Sequence, residues 1–174
     1  MKKKNKKKGI LFWITGLSGA GKTSVANEIK KEITKQFGPT LVFNGDDLRK
    51  IFKLNKYDQK SRLENGKNFS EFAKFITNQN INLIFTVVGM FDQIRNWNKK
   101  NISNYVEIYL KASVSKIKKK RKKKLYFKKH GAIVGIQIKP QFPKKPNYII
   151  KNDFTKSIKE ISYSLLKKII KAKA

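Results

Sequence analysis

Residues 16–23 read GLSGAGKT and fit the pattern G-x-x-x-x-G-K-[ST]. The chemistry of such a run is phosphate binding. Glycines let the backbone wrap an anion without Cβ clashes, so that successive N–H groups point inward. A helix starting at the end of the loop adds the partial positive charge of its N-terminus. In that setting Lys22 contacts the β- and γ-phosphates and the Thr23 hydroxyl ligates Mg²⁺. Gly16, Leu17, Ser18, Gly19, Ala20, Gly21, Lys22, Thr23 and Ser24 are therefore expected to bind ATP with Mg²⁺. The plain alternative is a glycine-rich turn. An apolar run before the loop and a helix-forming stretch after it argue against that.

A second constellation is NGDDLR at 44–49. A carboxylate at a strand end, facing a phosphate loop, can orient a hydroxyl and take its proton. Asp46 is placed for this. Arg49, one helical turn on, can hold an anionic acceptor. The structural alternative is that Asp46 or Asp47 merely caps a helix.

Apolar runs at 10–15, 41–43, 82–88, 105–110 and 147–150 predict five strands. Helical spacing is seen at 23–37, 46–52, 62–78, 91–100 and 155–170, with a basic helix or arm at 116–124 and a loop over 125–146. The run at 82–88 is unbroken, as a strand buried on both faces should be. Strands alternating with helices predict an α/β domain: a parallel sheet with helices on both faces and right-handed crossovers. Ligands in such folds bind at the carboxyl ends of the strands. Functional residues should therefore follow Phe43, Val88, Leu110 and Ile150.

The chain has 174 residues, enough for one domain with a real core over 9–174, preceded by a disordered basic extension at 1–8. It has no Cys and one His, His130, which excludes disulfides, thiolate chemistry, Ser-His-Asp catalysis and a His-rich metal site. There is no apolar run long enough to span a membrane, and the chain reads as cytoplasmic. The net charge is +31, almost all from Lys. Nucleic acid is one partner this suggests. The scarcity of Arg and the even spread of Lys favour a solvated surface produced by compositional drift.

From Ile10 to Asp153 the chain resembles the adenylylsulfate (APS) kinases. These P-loop enzymes transfer the γ-phosphate of ATP to the ribose 3′-hydroxyl of adenylyl sulfate. The loop at 16–23 is similar to theirs, and NGDDLR resembles their D-G-D-N-[VI]-R. Tyr57 with Arg62-Leu-Glu-Asn65 resembles F-x-x-x-x-R-x-x-N, and Leu125-Tyr126-Phe127-Lys128 resembles G-L-Y-x-K. The resemblance implies a three-layer P-loop NTPase fold with a five-stranded parallel sheet and a basic lid at about 116–146. It implies Asp46 as the catalytic carboxylate, with Lys22 stabilising the transition state. Asp46, Arg49, Tyr57, Arg62, Asn65 and Lys128 would bind the acceptor, Tyr57 against its base. It also implies Lys120 near the ATP base and a homodimer.

The chain departs from the family's pattern on the acceptor side. Asn44 replaces a first aspartate. Val88-Gly89-Met90-Phe91-Asp92 stands where I-S-P-[YF]-R is usual, so Asp92 is expected to put repulsion where an arginine would face the substrate. Ile133 stands where a second stacking aromatic is usual. The segment from Met90 to Asn98 resembles a branch associated with phosphorylation of cytidine diphosphoramidate. Adenylyl sulfate is the first expectation for the acceptor and cytidine diphosphoramidate the second. A basic nucleotide- or RNA-binding protein without catalysis is the rival class.

Overall fold

The computed structural model describes residues 8–121 and 132–172, with the Arg121 side chain left aside. The strands are β1 (Leu11–Thr15), β2 (Thr40–Asn44), β3 (Asn82–Val87), β4 (Tyr105–Lys111) and β5 (Tyr148–Lys151). They form one sheet in the order β2-β3-β1-β4-β5, with every pairing parallel. The helices are α1 (Lys22–Phe37), α2 (Gly45–Ile51), α3 (Gln59–Asn78), α4 (Asp92–Asn101), α5 (Val114–Arg121) and α6 (Ile158–Lys171). The α/β three-layer fold expected from the sequence is the one observed.

The alternation of side chains along the central strands divides the core in two. Phe12, Ile14 and Ile84 face α1 and α6, and pack with Ile29, Ile33, Ile161 and Leu165. Leu11, Trp13, Leu83 and Phe85 face the other way, against Phe69 and Ala73 of α3 and Ile94 of α4. All of β1 and β3 is buried. That is why both strands read as unbroken apolar runs, and why they can carry the loops that follow them without shifting.

Helix starts differ from the sequence expectation where a side chain supplies a cap. Asn44, not Asp46 or Asp47, caps α2: its Oδ1 accepts from the Asp47 N–H at 2.8 Å. α3 begins three residues before Arg62 because Asp58 accepts from the Ser61 N–H at 2.9 Å. α6 begins at Ile158 rather than 155, after a capping box between Ser157 and Glu160. At the N-terminus, Lys8 already belongs to the fold: its carbonyl accepts from Asn104 Nδ2 at 2.8 Å. Of the lid span, α5 and a turn bridged at Val134–Ile138 are described. Residues 122–131, with Lys128 and His130, lie outside the described residues. No described helix is long and apolar enough to cross a membrane.

Candidate active site

The run GLSGAGKT joins β1 to α1 at the carboxyl edge of the sheet. Gly16 passes so close to β4 that a Cβ there would lie 2.5 Å from the Leu110 carbonyl oxygen. Leu17 and Ala20 are buried in the core, so their backbone belongs to the loop while their side chains anchor it. Lys22 is also buried, and its Nζ donates to the Leu17 carbonyl at 3.0 Å. Ser18, Gly19, Gly21, Lys22, Thr23 and Ser24 line a crevice of about 210 Å³. Its far wall is Asn44, Gly45, Asp46, the end of β3 at Thr86 and Val87, and Val88 just past it.

A second, narrower cavity of about 60 Å³ continues from the first. Arg49, Arg62, Gly66, Phe69 and Val134 line it, with Trp13 and the segment Val87 to Phe91. Gly45, Asp46, Val87 and Val88 belong to both cavities. Asp46 is thus exposed at their junction, in the first turn of α2. Its carboxylate has no ion pair or hydrogen bond among the described residues.

Arg49 is buried and donates from Nη1 to the carbonyls of Leu54 and Lys56 at 3.2 and 3.1 Å. Arg62 donates from Nε to the Tyr57 carbonyl at 2.7 Å and from Nη2 to the Ala132 carbonyl at 2.8 Å. Neither guanidinium has a carboxylate partner among the described residues. Burial, and then the charge of Arg49 beside it, lower the pKa of Arg62. The carboxylates of Asp46 and Asp58 act on Arg62 in the opposite sense, from beyond ion-pair distance. Both guanidiniums also cover the Tyr57 ring, at 4.7 and 5.2 Å from its centroid. Asn65 is buried on α3 and lines neither cavity.

A model for the adenylylsulphate kinase family matches residues 8–151. The chain belongs to that family. It is 32% identical over 153 residues to an adenylyl-sulfate kinase of Clostridium acetobutylicum, covering 83% of this chain and 76% of that one. It is 28% identical over 163 residues to the cytidine diphosphoramidate kinase of Campylobacter jejuni, covering 91% of this chain and 95% of that one. Among solved structures, the APS kinase CysC of Mycobacterium tuberculosis, in complex with AMPPNP and APS, superposes with a TM-score of 0.82. That match has 22% identity and covers 93% of this chain and 98% of that one, a likeness of fold.

Within this adenylylsulphate kinase framework, two expectations about the acceptor side are corrected. Asp92 does not face either cavity. It starts α4, half-exposed, and its carboxylate pairs with the buried Arg95. Ile133 is packed into the core, and the cavity wall is its neighbour Val134.

Two residues that sequence reasoning passed over hold the site's walls. Arg95, on α4, is buried and donates to the carbonyls of Gly89 and Gln141, at 3.3 and 2.6 Å, while its Nε lies 3.1 Å from Glu107. Gln141 returns two bonds, accepting from the Asp92 N–H at its Oε1 and donating its own N–H to the Met90 carbonyl. Asn152 follows β5 and donates from Nδ2 to the Ala20 carbonyl at 2.8 Å. The signal for Arg95 was a cation on the buried face of a helix opposite an acidic residue in a buried strand. For Asn152 it was the position just past a strand end.

Proposed function

We propose that the chain transfers the γ-phosphoryl group of ATP to a ribose hydroxyl of a nucleotide that carries an anionic group. The observation that carries this is Asp46. A carboxylate with no ion pair or hydrogen bond among the described residues stands where the phosphate-loop crevice opens into a cavity lined by Arg49 and Arg62, two guanidiniums with no salt bridge among the described residues. Residues 16–24 cradle the triphosphate. The pocket formed by Lys120, Asn152, Phe154, Lys156, Ser157 and Ile158 lies behind Gly21 and suits the nucleoside end of ATP.

The Thr23 hydroxyl is a hard oxygen donor facing the crevice and fits Mg²⁺. When bound, that ion neutralises charge on the β- and γ-phosphates. Asp46 orients the acceptor hydroxyl for in-line attack on the γ-phosphorus and takes its proton. As the O–P bond to the attacking oxygen forms, the β–γ bridging bond breaks and ADP leaves. Lys22 moves from the Leu17 carbonyl onto the phosphoryl oxygens, where negative charge develops. Arg49 and Arg62 take the acceptor's anionic group. The guanidiniums that shift towards it uncover the Tyr57 ring for the base. Lys128 is assigned to the lid and Asn65 to supporting the acceptor wall from α3.

Adenylyl sulfate is the acceptor implied by most of the motifs. One set of features favours cytidine diphosphoramidate instead. The expected second stacking aromatic is absent: Ile133 at its position is packed into the core and aliphatic Val134 lines the second cavity, while Tyr57 lines neither cavity and lies under Arg49 and Arg62. A single aromatic face gives less stacking surface and suits a smaller ring. The Campylobacter jejuni relative also matches over nearly its whole length. ADP release measured with adenylyl sulfate, with cytidine diphosphoramidate and with no acceptor tests both readings. Turnover only without acceptor, or none with any, would overturn the proposal.

A further inference from the structure

Asn152 sits beneath the phosphate loop with 2% of its surface exposed. Its backbone N–H donates to the Lys111 carbonyl at 2.8 Å, which ties it to the end of β4. Its side-chain amide is fixed at both ends. Nδ2 donates to the Ala20 carbonyl at 2.8 Å, and Oδ1 accepts from the Phe154 N–H at 3.0 Å. Turning the amide over would set oxygen against oxygen and N–H against N–H, so one orientation is enforced.

The Ala20 carbonyl and the Gly21 N–H belong to one trans peptide and point in opposite directions. Drawing the carbonyl towards β5 therefore turns the N–H towards the crevice that Gly21 lines. That N–H has no acceptor among the described residues. The orientation needs the left-handed φ of +100° at Gly21, where a Cβ would also lie 3.2 Å from Asn152 Nδ2. Resting on the assignment of ATP to this loop, we infer that Asn152 is a positioning residue for phosphoryl-donor binding: from the sheet edge it aims the Gly21 amide at the phosphates. It acts through the peptide and touches no reacting atom.

The test is the dissociation constant of the whole chain for two probes with Mg²⁺, AMPPNP and inorganic triphosphate, in wild type, Asn152→Leu and Asn152→Asp. Leu removes the donor without adding charge, and Asp keeps the contact to Phe154. Both variants should weaken both probes by a similar factor, roughly tenfold, the scale of one lost hydrogen bond with a group left to drift. Thermal melting confirms that each variant is folded; if Leu is not tolerated, Asn152→Ala takes its place as the uncharged variant. Wild-type affinity in either folded variant overturns the inference. A loss confined to Asp also does, because it marks charge repulsion. A loss confined to AMPPNP does so too, because it marks a contact to the nucleoside. Failure of wild type to bind either probe would instead sink the assignment of the loop.

Discussion

Under the proposed function, Asp46 takes the acceptor's proton and the two guanidiniums beyond it hold the acceptor's anionic group. Asp46→Asn keeps the shape and the start of α2, whose cap is Asn44. It removes the proton acceptor, so turnover should fall by about 10²–10⁴, the scale of general-base catalysis, while AMPPNP affinity stays within about twofold. A variant with wild-type turnover would remove Asp46 from the mechanism. Arg62→Ala should separate the substrates differently. It should raise KM for the acceptor by tenfold or more, about 1.4 kcal/mol, and leave KM for ATP unchanged. An equal rise in both would mean that Arg62 acts through its bond to the Ala132 carbonyl, as a brace for the lid rather than a ligand for the acceptor. The residues of the phosphate loop were legible because glycine, lysine and hydroxyl fall at a fixed spacing in one continuous segment. So was Asp46, two positions past a strand end. What Tyr57 does in the free protein was not legible. Its neighbours Arg49 and Arg62 are distant in sequence from one another, and only folding lays both on its ring.

At the scale of elements, the loop after β3 shows how a helix can hold a cavity wall. The Gly89–Phe91 segment lines the second cavity, and α4 behind it is held by the buried pair Arg95 and Glu107, with half-exposed Asp92 and Lys99 at its edge. Arg95 and Glu107 are 3% and 1% exposed, so neither can recover water if the other is removed. Arg95→Met should therefore destabilise the fold by about 3–5 kcal/mol, since Glu107 would keep a buried charge paired only with Lys99. Arg95→Met with Glu107→Met should recover much of that loss, and urea denaturation of the three proteins measures it. Asp92→Asn, at a half-exposed partner, should cost less than about 1 kcal/mol. The strands and their order of burial could be read from the sequence because β1 and β3 are apolar throughout. The network could not, because charged residues in a lysine-rich chain look alike until one lies against a strand. Asp92 was misread for that reason: its place past a strand end suggests the cavity, while its partner three residues on turns it away. Helix starts at Gln59 and Ile158 were missed by a few residues because caps at Asp58 and Ser157 interrupt no periodicity.

The whole molecule carries +31 at neutral pH, and its few acids are mostly committed. Asp58, Asp153 and Glu160 are all exposed and all held below their usual range, each first by a side-chain hydrogen bond from Ser61, Thr155 and Ser157 respectively. A carboxyl lowered in the folded state favours folding above its unfolded pKa, and that help is lost as pH falls through the folded value. Stability should thus be level from neutral pH down to about pH 5 and fall below it, as the carboxyls protonate. The same titration leaves 42 lysines and arginines with no acids to oppose them. Self-repulsion is then largest where the caps are weakest, and both effects push towards unfolding. Screening separates them. Raising ionic strength from about 0.01 M to 1 M shrinks the Debye length from about 30 to 3 Å, which weakens repulsion between surface lysines and hardly touches a hydrogen bond inside a capping box. The melting temperature should therefore rise with salt at pH 7. It should rise more steeply at pH 4, without reaching the pH 7 value at the same salt. A melting temperature indifferent to salt at both pH values would mean that the lysines are too far apart to repel, and that the acid loss belongs to the carboxyl contacts alone.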